Sequence, residues 1–115
     1  MATLSFKEFK KEKYEKYAEF NGKILIIGYG SVGQAILPVI LRHLVIDPKN
    51  VTVLERDNHR QLFIKRHAGS GVNYVRQEIN ISNYKKELKK YVGEGDLIIN
   101  ASLNIDAKSL LEWCA

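Results

Sequence analysis

Gly28-Tyr29-Gly30-Ser31-Val32-Gly33 is the segment of this chain whose residue types and spacing most directly prescribe chemistry. It is a GxGxxG run placed directly after the apolar stretch Lys23-Ile24-Leu25-Ile26-Ile27 and directly before a helical pattern. In that setting Gly28 permits a tight turn out of a strand, and Gly30 lets the backbone approach a pyrophosphate with no side chain between. Gly33 lets the following helix pack closely on the strand. The amides at the helix start, Ser31 and Val32 included, then face the phosphates, where unpaired donors and the helix dipole both favour negative charge. A glycine-rich turn that binds nothing is the competing reading; the flanking strand and helix favour a dinucleotide.

Glu55 supplies the second half of that fingerprint. It closes the strand Val51 to Glu55 about 20 residues beyond the loop, where an acid accepts hydrogen bonds from both hydroxyls of an adenosine ribose. A 2′-phosphate there would meet a carboxylate and leave it without a donor, so the expected cofactor is NAD rather than NADP. Arg56 pulls the other way as a partner for a 2′-phosphate, or lies over the adenine or in solvent. Asp57 is the reserve ribose ligand, with a turn or helix-cap role as its plainer reading. Asn100 and Ser102, at the end of a later strand, are either cofactor contacts or loop residues that satisfy backbone groups and cap the next helix.

Positioning these residues requires a particular run of elements. Residues 5 to 20 carry no Gly or Pro, with Phe6, Phe9, Tyr17 and Phe20 near one face, so 1–21 reads as an amphipathic N-terminal helix ended by Asn21-Gly22. Residues 22–115 then read as one dinucleotide-binding domain. Strands are expected at 23–27, 51–55, 72–78 and 96–100, and helices at 34–44, 58–67, 82–92 and 106–114. Pro38 falls inside the first of these helices, where it predicts a kink. Ser82 is placed to cap the third. Strands alternating with helices over short connections predict an α/β, Rossmann-type doubly wound parallel sheet, partial at about four strands in the order 3-2-1-4, with the extra N-terminal helix beside it.

Composition sets the outer bounds. A chain of 115 residues with 45% hydrophobic and 27% charged side chains fits a single globular domain. A net charge of +5 suits anionic ligands but is spread along the chain, so no nucleic-acid partner is expected. Lys85, Lys86, Lys89 and Lys90 read as a solvated face. Cys114 is the lone cysteine, which excludes an internal disulfide and points to the cytoplasm. Its own place reads as a small core residue, with exposure near the chain end as the alternative. No apolar run suits a secretory signal or a membrane span, so no membrane partner is expected. His43, His59 and His67 have no metal partners at ligand spacing and read as surface or helix-end residues; no metal site is expected.

Gly28-Tyr29-Gly30-Ser31-Val32-Gly33-Gln34, followed by Leu37-Pro38 and Leu41-Arg42-His43, resembles the N-terminus of the homospermidine synthase family, in the wider saccharopine dehydrogenase-like group. The Leu-Pro inside the helix separates that family from generic dinucleotide folds. The resemblance continues through Glu78 to Tyr84, Gly95 to Asn100 with Ser102, and Leu111-Glu112-Trp113-Cys114, covering the chain from about residue 22 onward. Tyr29 stands where phenylalanine is usual, Ala35 where the family has glycine and Glu55 where aspartate is usual. The resemblance implies an enzyme that holds NAD tightly and recycles it: putrescine is oxidised to an imine, ammonia leaves, a second amine condenses, and the same NADH reduces the new imine to homospermidine. A closed site keeps the hydride for the second half and water from the imine.

The family's polyamine-binding groups lie mostly in a second domain, so no catalytic residue is assigned within these 115 residues and the chain alone is expected to be inactive. Gly28, Gly30, Ser31, Val32, Gly33, Glu55, Asn100 and Ser102 are the expected cofactor ligands. A homodimer is left open. The alternative reading is a stand-alone NAD-sensing module without catalysis, similar to the regulatory domains of potassium transport systems in its strand, glycine loop and acid.

Overall fold

A computed structural model of the protein describes Lys16 and residues 18–115. The extended elements are β1 (Ala18–Glu19), β2 (Ile24–Ile27), β3 (Leu44–Val45), β4 (Val51–Glu55), β5 (Asn73–Arg76) and β6 (Leu97–Asn100). The helices are α1 (Ser31–His43), α2 (Arg60–His67), α3 (Tyr84–Leu88) and α4 (Ala107–Cys114).

Four strands form one parallel sheet in the order β5-β4-β2-β6, the doubly wound arrangement expected from the sequence. β2 reads Ile-Leu-Ile-Ile because both of its faces are covered. Ile24 and Ile26 face a core layer shared with Leu37 and Ile40 of α1 and Phe63 of α2. Leu25 and Ile27 face a second layer with Tyr84 and Leu88 of α3 and Leu110 of α4. Leu25 and Leu37 are fully buried, so truncating either to alanine costs about 2–5 kcal/mol.

Register brings the functional loops together. Ile27 lies between Leu54 and Asn100, so β2, β4 and β6 finish in line and their following loops leave from one edge. Two backbone bonds lock that edge: Gly28 donates to the Leu54 carbonyl at 2.7 Å, and Ala101 to the Ile27 carbonyl at 2.8 Å. This is the carboxyl end of the sheet, where open α/β folds bind ligands.

Several expectations need correction. Most of the predicted N-terminal helix lies outside the described residues, but its last turn is extended: Ala18–Glu19 pairs in parallel with Leu44–Val45. Phe20 continues that segment, donating its N–H to the Val45 carbonyl at 3.0 Å and packing its ring on the core beneath α1. A β-pairing with the end of the first crossover thus wins over local helix propensity. The helix expected at 82–92 shortens to Tyr84–Leu88, because Lys90 and Tyr91 turn to the tighter bonds to Glu87 and Leu88. Ser82 does not cap it; Asn80 Oδ1 accepts from the amides of Ser82 (2.9 Å) and Asn83 (3.1 Å) instead. Cys114 is exposed, not a core residue. Among the described residues, no helix is long and apolar enough to cross a membrane and no cluster of His, Cys, Asp and Glu could hold a metal ion.

Candidate functional site

The glycine loop is shaped by contacts that side chains would prevent. Gly28 has φ +104°, and a Cβ there would lie 2.8 Å from the Ala101 carbonyl oxygen. A Cβ on Gly33 would come within 2.1 Å of the Gly28 carbonyl oxygen, so this glycine is what lets α1 lie against the end of β2. Gly30 is different: nothing stands within 4 Å of its Cβ position, and the backbone there is open to a ligand. Gly30 is also the N-cap of α1, with no side-chain cap bond and no acid in the first turn. The amides of Ser31, Val32 and Gly33 therefore precede the first intrahelical acceptor bond, made by Gln34 N–H to the Gly30 carbonyl at 2.9 Å.

Glu55 sits beside this loop rather than projecting into solvent. It is 7% exposed, and its carboxylate accepts the Tyr29 amide on Oε2 and the Asp57 amide on Oε1 at 3.1 Å. The other side of the Tyr29 peptide is held too, its carbonyl accepting from Gln34 Nε2 at 3.0 Å, with His59 Nδ1 at 3.2 Å. His59 Nδ1 also stands 3.8 Å from Glu55 Oε2. The Tyr29 ring points away from the loop into the core, edge-on to Phe63 and Tyr74, where burial pushes its phenol above the ordinary value.

These groups border a cleft of about 180 Å³ at the carboxyl edge of the sheet. Its first wall is Gly28 and Gly30, its second Glu55, Arg56, Asp57 and His59, and its third Ala101 to Asn104. Of the residues expected from sequence, Gly28, Gly30, Glu55 and Ser102 border it directly. Ser31 and Val32 are exposed on the first turn of α1, and Gly33 is buried behind the loop.

Asn100 and Ser102 satisfy backbone groups of their own loop, and neither caps α4. Asn100 Oδ1 accepts from Ser102 N–H at 3.1 Å and its Nδ2 donates to the Ile105 carbonyl at 3.0 Å. Ser102 Oγ accepts from Asn104 N–H at 3.0 Å. The cap of α4 is Asp106, whose Oδ2 accepts from Ser109 N–H at 2.9 Å.

His59 stands at the N-cap position of α2, in keeping with the helix-end reading, but its contact with the Tyr29 carbonyl and the part played by Asn104 were not foreseen from sequence. The signal for His59 was its place four residues after the strand-ending acid; Asn104, in an irregular loop, carries none. Asp57, the reserve ribose ligand, borders the same cleft as Glu55. Its carboxylate pairs with Arg56 Nε at 3.3 Å, while its amide secures Glu55.

The donor set suits a dinucleotide: an uncapped helix start, an open glycine, and a carboxylate with acceptor sites beyond the two amides it already holds. Comparison with known proteins agrees with that geometry. The solved homospermidine synthase of Legionella pneumophila in complex with NAD superposes with a TM-score of 0.74 at 28% identity, over 86% of this chain and 21% of that one. The homospermidine synthase of Mesorhizobium japonicum is 33% identical over 107 residues, covering 90% of this chain and 21% of the relative. That of Blastochloris viridis is 29% identical over 100 residues, covering 84% and 20%. The chain thus spans about a fifth of the length of the curated relatives it matches. Residues 24–115, from the first sheet strand to the end of α4, match the family described as saccharopine dehydrogenase NADP binding domain, and the chain belongs to that family.

Proposed function

We propose that this chain forms the NAD-binding portion of a homospermidine synthase. One observation carries the reading: the glycine loop, the uncapped start of α1 and the Glu55 carboxylate converge on a single cleft at the carboxyl edge of the sheet. The relatives named above support the assignment to this enzyme, and nothing in those similarities favours a stand-alone NAD-sensing module. In this reading the amides of Ser31, Val32 and Gly33 receive the pyrophosphate and Glu55 receives the ribose hydroxyls. Asn100 and Ser102 hold the third wall in place. NAD, when bound, would supply the hydride acceptor and donor for an aminobutyl transfer from putrescine.

Putrescine recognition, the transfer itself and a homodimeric state belong to the whole protein in this proposal. The 115 residues alone are expected to bind cofactor and turn nothing over. The lone, exposed Cys114 supports a cytoplasmic setting.

Calorimetric titration tests the cofactor half. Saturable binding of NAD, tighter than that of NADP, is expected, and an absence of saturable NAD binding would sink it. The enzymatic half is tested on the protein purified at its native length from its source cell. That protein should convert putrescine to homospermidine with a catalytic amount of NAD and no net accumulation of NADH. A native-length product that binds NAD but leaves putrescine untouched would end the synthase assignment while sparing the cofactor site.

A further inference from the structure

Arg56 directly follows the ribose-side acid and borders the same cleft, yet its guanidinium is not loose. Nε donates to Asp57 Oδ1 at 3.3 Å, and Nη1 donates across to Asn104 Oδ1 at 3.2 Å. Asn104 belongs to a different loop, the one after β6, and its own backbone is fixed: Asn104 N–H donates to Ser102 Oγ, and Ser102 N–H to Asn100 Oδ1. A polar chain therefore runs from the end of β6 through Asn100, Ser102 and Asn104 to Arg56, and ends on Asp57. It links the two loops that flank the cleft.

An arginine beside a ribose-binding acid is the natural partner for a 2′-phosphate, because its planar fork matches phosphate oxygens. Here the fork is already engaged on two sides. We propose that Asn104 and Asp57 act as tethers that withhold Arg56 from a 2′-phosphate, making Asn104 a residue that sets the preference for NAD over NADP. This rests on the reading of the cleft as the adenosine site. Two elements then discriminate against NADP: Glu55 repels the phosphate, and the tether holds back the Arg56 guanidinium that borders the cleft. The tether is local and exposed, with half of the Arg56 side chain in solvent, so releasing it has a modest effect.

The test is calorimetry with NAD and NADP on the protein and on Asn104→Ala, with Asp57→Asn as an independent release of the other tether. Each variant should raise the NADP-to-NAD affinity ratio by about 1.4-fold to fivefold, the span of an exposed ion pair. Adding Arg56→Gln to Asn104→Ala should cancel the gain, since the gain belongs to the freed guanidinium. A ratio that stays constant or falls in both tether variants, with NAD still binding, overturns the tether and leaves the adenosine site standing. So does a gain that survives Arg56→Gln. If the unmodified protein binds neither nucleotide, the reading of the cleft fails and the tether falls with it.

Discussion

The Glu55 carboxylate accepts the backbone amide of Tyr29, so the acid at the end of one strand holds the glycine loop at the end of its neighbour. A residue expected to act on cofactor alone thus has a structural task as well. Glu55→Ala leaves the amides of Tyr29 and Asp57 without this acceptor, at a residue that is only 7% exposed. Stability should fall by about 1–3 kcal/mol, the cost of an abandoned buried donor. Glu55→Gln retains an acceptor oxygen for one of the two amides and should keep part of that stability while losing the charge that disfavours NADP. Urea melts combined with NAD and NADP titrations separate the two roles. Equal stability losses in both variants would show that the amides do not depend on an acceptor at this position.

Gly30 and Gly33 answer the same substitution in opposite ways. Gly33→Ala places a methyl 2.1 Å from the Gly28 carbonyl, a backbone atom that cannot move without displacing α1 from the sheet. Loss of folding, or a destabilisation of about 3 kcal/mol or more, is expected. Gly30→Ala meets nothing within 4 Å, and its φ of −77° is ordinary for alanine. That variant should melt with the unmodified protein but bind NAD at least tenfold more weakly, because its methyl fills space the phosphates need. Undiminished NAD affinity in Gly30→Ala would place the phosphates elsewhere.

The Tyr29 hydroxyl is buried and has no hydrogen-bond partner among the described residues. Its ring is fully buried against Phe63, Tyr74 and His67, so the apolar part of the side chain is already well placed. Tyr29→Phe removes only the unpaired polar atom and should stabilise the protein by about 1 kcal/mol. An increase in the denaturation midpoint at unchanged slope is the expected readout. A decrease would mean that the hydroxyl contributes through a partner gained in solution.

The sheet was legible because its strands are short apolar runs separated by turn residues, and Val51 to Glu55 and Ile24 to Ile27 leave little choice of register once the glycine loop is anchored. The loop itself was legible because Gly28 and Gly33 each answer a steric requirement, while Gly30 leaves its space open. What sequence patterns conceal is long-range competition. The segment at Ala18–Glu19 has a helical composition, yet its backbone pairs with Leu44–Val45, a partner that no local window contains. Asn104 and His59 were hidden for the same reason: each acquires meaning only when the loop after β6 or the start of α2 is folded against Arg56 or Tyr29.

His67 ends α2 with its ring packed on Phe63 at 5.4 Å and Tyr29 at 6.3 Å, and its buried Nε2 has no partner among the described residues. Burial, with Arg66 adding to it, holds its pKa below the ordinary 6.5. The folded state is therefore the poorer proton binder. As pH falls through 6.5 the unfolded chain takes up the proton first, and stability declines until the pH has passed below the lowered folded value. Urea denaturation at about pH 7.5 and about pH 5.5 should show a loss of stability in the unmodified protein and a smaller loss in His67→Leu. His43 and His59 are common to both proteins, so the difference isolates His67. Identical pH dependence in the two would show that this ring protonates as readily folded as unfolded, and that the packing around Tyr29 does not exclude the charge.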